Sequence, residues 1–387
     1  MIELDDRTKA IRLRAREWAR ELKPLALELD GDPDAIYRHL DVGIVSYLTR
    51  MPLPPEYNPD PVVIDGHRFY GTGTLERVVF AEEVAVGDAG MLLAAPGPVM
   101  SGVLIDSLGD ERQKKWFYSR ILERPTWTFF ALTEPARGSD AGAMETTLTP
   151  ADDGDGYVLN GAKRYIGNAA RADIGVVFAR TRPGPLGVTA VLTEASAPGF
   201  TAEPLETIGL RGLRITAMTL DNVRIAADNV LGRHLRPTQR GMWSAVQGLN
   251  RLRPGVAAFG LGIARSAYEY VRENRPGLPA WDRERLDDLG RRITGVRQLI
   301  WRAARAVDEN DPAAGYLASA AKAKASRLAE DATMEALGFF GPGARLEHPL
   351  LDKLARDARA VEFMEGTGNI QKLNLFTGLL QGRLRRA

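Results

Sequence analysis

Phe130-Ala-Leu-Thr-Glu-Pro-Ala-Arg-Gly-Ser-Asp140 stands where this 387-residue chain changes character. Upstream, residues 1–126 read mainly as helices, broken by a Pro-rich loop at Met51–Pro61. Leu75, Val78, Val79 and Glu82–Val86 continue one helical stretch, and Glu111–Leu122 forms another. Downstream, through residue 235, short runs rich in β-branched residues are bounded by Gly, Pro, Asn or Asp: Tyr157–Asn160, Ile174–Thr181, Val188–Thr193 and Thr216–Ile225. Such runs are strand signals. Asp152-Asp-Gly-Asp-Gly156 and the Pro-Gly pairs at 183–184 and 198–199 supply turn chemistry. No helical pattern alternates with these strands, so an antiparallel sheet or small barrel is expected rather than βαβ units.

From residue 236 to the end the helical period returns. Leu249, Leu252, Val256, Phe259 and Ile263 recur at intervals of three and four, as do Leu286, Leu289, Ile293, Val296, Ile300, Ala303 and Val307. These stripes are core faces of a helical bundle. The expected fold is therefore α+β, with an N-terminal helical domain (1–126), a central β-domain (127–235) and a C-terminal helical bundle (236–387).

Composition narrows the chemistry. With 44% hydrophobic and 26% charged residues the chain reads as an ordinary globular protein. It has no Cys, which excludes disulfides, thiolate nucleophiles and Cys-ligated metals. The four His (39, 67, 234, 348) lack metal-ligand spacing. A formal charge of +1 offers nucleic acid no general attraction. Arg12, Arg14, Arg16 and Arg20, like Arg383, Arg385 and Arg386, read as solvated faces or tails. No apolar run is long enough to span a bilayer, and the acidic N-terminus is unlike a signal peptide. A cytoplasmic protein without membrane or nucleic-acid partners is expected. Gly71-Thr-Gly73 lacks the rest of a dinucleotide fingerprint, no phosphate-binding P-loop is present, and Ser139 completes no nucleophile elbow.

A second motif, Met364-Glu-Gly-Thr-Gly-Asn-Ile-Gln371, follows Arg356-Asp-Ala-Arg359. With Phe130–Asp140, Gly109-Asp-Glu-Arg-Gln-Lys-Lys-Trp116, Gly209-Leu-Arg-Gly212, Asp221–Val223 and Leu231-Gly232, it makes an ordered set that resembles the acyl-CoA dehydrogenase family over nearly the whole chain. The resemblance implies FAD. Phe130, Leu132 and Thr133 would lie along the flavin, and Ser139 would reach the pyrophosphate. Gly338 and Thr367 would also touch the cofactor. Glu365 matches the catalytic base, which takes the α-proton of an acyl thioester while flavin N5 takes the β-hydride. A carboxylate suits that task when an apolar pocket raises its pKa. Gly366 would face the substrate, and Arg253 matches an Arg near the pantetheine arm. Leu252, where some members carry the base, cannot serve.

The pattern also departs from the family. Its Trp-x-Ser/Thr stretch reads Tyr165-Ile-Gly167: Tyr165 can stack, but Gly167 has no hydroxyl for N5. Arg275, which would reach a neighbouring subunit's FAD, is followed by Leu278 and Pro279 where the family has Phe-Gly. Glu335 and Phe339 replace a Gln and a Gly, and an acid near FAD phosphates would repel them unless compensated. The expected function is dehydrogenation of an acyl-CoA or acyl-carrier-protein thioester by a homodimer or homotetramer. An electron-transfer flavoprotein and oxygen both stand open as electron acceptors. A flavin oxidase or monooxygenase on the same fold, or a non-catalytic flavoprotein, are the alternatives; Glu365 argues against the monooxygenase, which needs no α-proton base.

Overall fold

The computed structural model describes residues 2–383, the Pro185 side chain excepted, so Arg385 and Arg386 lie outside the described residues. The chain begins with helices α1 (Asp6–Leu22), α2 (Ala26–Gly31), α3 (Gly43–Leu48), α4 (Thr74–Ala94), α5 (Val99–Leu108) and α6 (Glu111–Glu123). A small hairpin of β1 (Val62–Ile64) and β2 (His67–Phe69) lies between α3 and α4, a feature that a mainly helical reading omits. Its turn is Asp65-Gly66, with φ of 49° and 79°, the Asp-Gly pairing that tight hairpins favour.

A seven-stranded sheet follows, made of β3 (Thr128–Ala131), β4 (Thr147–Pro150), β5 (Tyr157–Ile166), β6 (Ile174–Arg180), β7 (Val188–Glu194), β8 (Phe200–Pro204) and β9 (Thr216–Ile225). The strand order is β3-β6-β4-β5-β9-β8, with β7 paired to β6. Two pairings, β3 with β6 and β4 with β6, are parallel, so the sheet is mixed rather than purely antiparallel. The reason is visible in β6. Val176 and Phe178 pack against Leu108 and Phe117 on one face, while Val177 and Ala179 join Phe129, Leu159 and Val223 on the other. A strand covered on both faces is a near-continuous apolar run and tolerates parallel neighbours.

Helices α7 (Met242–Asn274), α8 (Ala280–Asp308), α9 (Ala314–Gly338), α10 (Ala344–Glu347), α11 (Pro349–Val361) and α12 (Gly368–Leu380) complete the chain. The stripe on α7 and α8 meets α4 and α9 in one core that includes Val78, Val84, Leu261, Ile300 and Ala325. No helix among the described residues is long and apolar enough to cross a membrane.

Two polar devices join the layers. In the Gly109–Trp116 motif, Asp110 and Gln113 form a reciprocal cap at the start of α6. The Gln113 amide also donates to the carbonyls of Asp228 (2.8 Å) and Val230 (3.2 Å), docking the cap on the end of the β-region. The second device sits at a kink in α4, where Asp88 leaves helical geometry (φ −162°, ψ 118°). Its carboxylate bonds the Gly90 and Met91 amides and takes Lys353 of α11 at 2.5 Å. Lys353 also holds Asp357 at 2.6 Å, and Asp357 accepts from the Leu210 amide at 2.6 Å. Arg356 reaches Asp30 (2.6 Å) and the Ile208 carbonyl (2.9 Å). Lys353, Arg356 and Asp357 thus tie α2, α4 and the 208–210 loop to α11. The N-terminal arginines are less solvated than expected: Arg12 and Arg16 pair with the buried Glu83.

Candidate active site

Glu365 lies in the turn between α11 and α12, in the left-handed region (φ 51°) and followed by Gly366 at φ 97°. Three side chains grip the carbonyls of this turn from three helices. Lys322 of α9 donates to the carbonyls of Glu362 (2.6 Å) and Gly366 (2.8 Å). Arg253 of α7 donates to the Glu365 carbonyl at 3.2 Å. Gln371 of α12 donates to the Glu365 and Gly366 carbonyls at 3.1 and 3.0 Å. Glu362 closes the turn by accepting from the Gly368 amide at 2.6 Å, next to Thr367, the residue that precedes α12.

The Glu365 carboxyl has a different fate. The residue as a whole is half-buried, but its Oε2 is enclosed and has no hydrogen-bond partner. Burial pushes the carboxyl up to about 8, against the pull of Arg253, Lys322 and Arg77. A buried carboxyl titrating near neutrality, unbonded and aimed from a rigid turn, is equipped to exchange a proton with something that is not part of the chain.

A second group gathers where β3 and β5 end. Lys163 is 0% exposed and donates to the Leu132 carbonyl (3.1 Å) and to Glu134 (2.9 Å). Glu134 in turn accepts from the amides of Glu145 (2.5 Å) and Thr146 (2.9 Å). Burial pulls Lys163 down to about 8, opposed by Glu134. Because the Leu132 carbonyl points to Lys163, the Thr133 amide in the same trans peptide points the opposite way. The Thr133 carbonyl accepts from the Arg164 amide at 2.9 Å, which places Tyr165 beside this segment. A bulge at Arg164/Ile166 puts Tyr165 at φ 63° and leaves its ring 61% exposed. Ser139 is exposed in the turn that follows, and Phe130 packs on Phe178 with the rings tilted by 57°. The Thr133 amide and hydroxyl and the exposed Tyr165 ring, over which the Arg164 guanidinium lies at 5.4 Å, suit the polar edge and face of a flavin.

A Cβ added to Gly167 would lie 2.8 Å from Leu213 Cδ1, so Leu213 occupies the space a side chain would need there. The Asn168 amide bonds the Leu213 carbonyl at 2.9 Å, and Leu210 three residues earlier is held by Asp357. The 209–214 loop therefore joins the Gly167 end of the strand-end group to α11, the helix that leads into the Glu365 turn.

Two family models cover most of this architecture, the acyl-CoA dehydrogenase middle domain over residues 129–223 and the C-terminal domain over 239–380. The acryloyl-CoA reductase (NADH) of Anaerotignum propionicum is 31% identical over 381 residues, 93% of this chain and 91% of that protein. This chain belongs to the acyl-CoA dehydrogenase family. A short-chain-specific acyl-CoA dehydrogenase of Megasphaera elsdenii is 33% identical over 317 residues, covering 78% of this chain and 80% of the relative. The butyryl-CoA dehydrogenase structure from the same organism superposes with a TM-score of 0.83 at 29% identity, covering 98% of this chain and all of that one.

Set against that family, the predicted residues of this acyl-CoA dehydrogenase family member fall into three places. Phe130, Leu132, Thr133, Ser139, Tyr165 and Gly167 cluster at the strand ends. Arg253, Glu365, Gly366 and Thr367 share the turn. Arg253 is only 6% exposed, and it also bonds Asn250 at 2.5 Å, so it grips the turn rather than presenting a free charge. Arg275 and Gly338 stand elsewhere, at the C-terminal ends of α7 and α9. Arg275 follows Arg253 by 22 residues on one helix, about 33 Å at 1.5 Å per residue. It is exposed and lies over the Phe340 ring at 5.9 Å. Glu335 is compensated: Arg292 holds both its oxygens at 2.6 and 2.7 Å.

Lys163, Lys322 and Leu213 escaped the sequence reading. Lys322 and Lys324 alternate with Ala and look alike, and only the turn of α9 makes one buried and one exposed. Among the described residues no acid or His cluster could hold a metal. A cavity of about 650 Å³ between α1, α7 and α8 is lined by Arg12, Arg16, Arg265 and Arg297, whose charges Glu82 and Glu83 take up. No candidate site residue lines it.

Proposed function

We propose that the protein is an FAD-dependent dehydrogenase of acyl thioesters, with Glu365 as the base. The observation that carries this reading is the enclosed, unbonded Glu365 carboxyl raised to about 8, on a turn whose carbonyls are tied down by Arg253, Lys322 and Gln371. Bound FAD would accept the β-hydrogen of the substrate as a hydride. Glu365 takes the α-proton, so the thioester loses two hydrogens and leaves as its α,β-unsaturated form. A pKa near the working pH matches base to task, because the carboxylate is populated yet still basic enough to take a proton. Leu132, Thr133 and Ser139 would bond the cofactor, Phe130 and Tyr165 would pack on it, and Gly366 would lie against the thioester.

The remaining assignments follow the same reading. Thr367 sits beside Gly366 and would face the cofactor. Arg275 and Gly338 are too far along their helices to meet the flavin that Glu365 serves, and they would act on the FAD of a second copy, which makes the enzyme a homodimer or a pair of dimers. The acyl group rides on CoA or on a carrier protein, and the electrons leave to an electron-transfer flavoprotein or to oxygen. Leu213 in place of a hydroxyl beside Gly167 is the one observation favouring the oxidase reading, since it puts hydrocarbon where the family has a donor for N5.

The test is anaerobic titration of the FAD-loaded protein with saturated acyl-CoA and acyl-carrier thioesters of increasing length. Bleaching of the flavin absorption by at least one of them is expected. A loaded protein that no saturated thioester bleaches would overturn the reading.

A further inference from the structure

Lys322 is buried without the partner a buried ammonium normally has. It is 0% exposed in the middle of α9, and the nearest carboxylate oxygen, on Glu362, is 4.0 Å away. Taking such a charge out of water costs several kcal/mol unless attraction and hydrogen bonds repay it. A Met of similar length would fill the space at no such cost. The ammonium instead spends its hydrogen bonds on two backbone carbonyls, those of Glu362 and Gly366.

Those two carbonyls bracket Glu365. Arg253 and Gln371 hold the middle of the turn, but neither reaches Glu362. A Glu in the left-handed region crowds its Cβ against the backbone, so the conformation persists only where its surroundings impose it. We propose that Lys322 is a positioning residue for Glu365: it clamps both ends of the turn that presents the base and keeps a positive charge behind it.

This rests on the reading of Glu365 as the base. The charge acts through a short list of groups. Arg253 of α7, Arg77 of α4 and Lys322 itself favour the ionised Glu365, opposing burial. Glu362 in the turn and Glu330 on α9 face Lys322 and favour its charged form, again opposing burial. Removing Lys322 therefore loosens the turn and also makes Glu365 harder to ionise.

The experiment uses FAD-loaded protein and a saturated acyl-CoA that bleaches the wild type, with anaerobic flavin reduction followed across pH. Lys322→Met, Lys322→Arg, Glu365→Gln and the exposed control Lys324→Met are compared, each with its FAD content and thermal midpoint. Lys322→Met is expected to retain FAD and reduce it about 10- to 100-fold more slowly, as a base displaced by about 1 Å would, with the pH midpoint moved upward. Lys322→Arg keeps the charge but not the reach, so its midpoint does not rise while its rate falls less. A folded, loaded Lys322→Met with the wild-type rate, or with a slowed rate and an unmoved midpoint, would overturn the proposal. Should Lys322→Met fail to fold, Lys322→Arg decides: a slowed rate with a midpoint at or below that of the wild type supports it, and a raised midpoint or an unslowed rate overturns it. An inactive Glu365→Gln beside an unaffected Lys322→Met removes only the role of Lys322. An active Glu365→Gln removes the reading of the base itself.

Discussion

Lys353 and Lys322 are both fully enclosed, yet they do opposite things with their charge. Lys353 lies between Asp88 at 2.5 Å and Asp357 at 2.6 Å, and although burial alone would lower its pKa, the two carboxylates hold it above the usual lysine range. Lys322 has no carboxylate within hydrogen-bond distance, and burial pulls it down to about 8. Lys163, with Glu134 alone at 2.9 Å, stands between them. The first site is a closed clamp in which charge is consumed internally. The second leaves a cation facing the turn of Glu365. Where a buried charge is fully paired the fold is using it, and where it is unpaired the candidate site is.

Breaking the closed clamp should have the largest effect. Lys353→Met leaves two buried carboxylates facing each other, and an expected loss of about 3–5 kcal/mol should appear in equilibrium denaturation. A loss below about 1 kcal/mol would show that the clamp is not the joint between α4 and α11. Lys163→Met should cost about 3 kcal/mol for the same reason, and it should also weaken FAD binding because the Leu132 carbonyl and Glu134 lose their anchor. Adding Glu134→Gln removes the orphaned charge, and the double variant should recover part of the stability without recovering FAD affinity. Equal recovery of both would reduce this lysine to a fold element.

Smaller effects test the strand-end group. Gly167→Thr should cost about 1–3 kcal/mol through overpacking, because its Cβ would sit 2.8 Å from Leu213 Cδ1. Leu213→Ala in the same chain should relieve that cost. The flavin potential of the double variant then reports whether a hydroxyl at 167 reaches N5. Stability unchanged by Gly167→Thr alone would mean that Leu213 is free to move. The smallest effect belongs to Arg275, which is exposed. Arg275→Ala should alter the stability of a single chain by less than about 0.5 kcal/mol while lowering FAD retention in the oligomer, as light scattering and cofactor content would show.

The order of helices, strands and helices was readable because α7 and α8 carry long apolar stripes and β9 alternates up to Leu220 and again from Val223. The hairpin β1–β2 was not read, since three-residue strands hold too few alternations to stand out beside a Pro-rich loop. The parallel pairings of β6 depend on which strands flank it, a property of the assembled sheet. Glu365 was singled out through its motif, and the same motif could not show that its turn is left-handed. Arg253 was read as a residue near the substrate's pantetheine arm; that its guanidinium also donates to the Glu365 carbonyl was not legible, since a lone Arg in a helix gives no hint of which way it reaches. Lys163 and Lys322 left no signal, because burial of a lysine is decided by contacts 29 and 31 residues away in one case and 40 and 44 residues away in the other. Asp110 and Gln113, by contrast, carry the spacing of a reciprocal helix cap, and there motif and physics coincide.

The most direct measurement is anaerobic flavin reduction by a saturated acyl-CoA in the wild type and in Glu365→Gln, both loaded with FAD. The base works in its ionised form, and its carboxyl is raised to about 8. The wild-type rate in the free enzyme should therefore climb as pH rises toward about 8. Glu365→Gln should keep its flavin spectrum and lose roughly 10²- to 10⁴-fold in rate at every pH, with the pH dependence flattened. Reduction of Glu365→Gln at near the wild-type rate, with the same climb toward about pH 8, would contradict the account and assign the proton to another group.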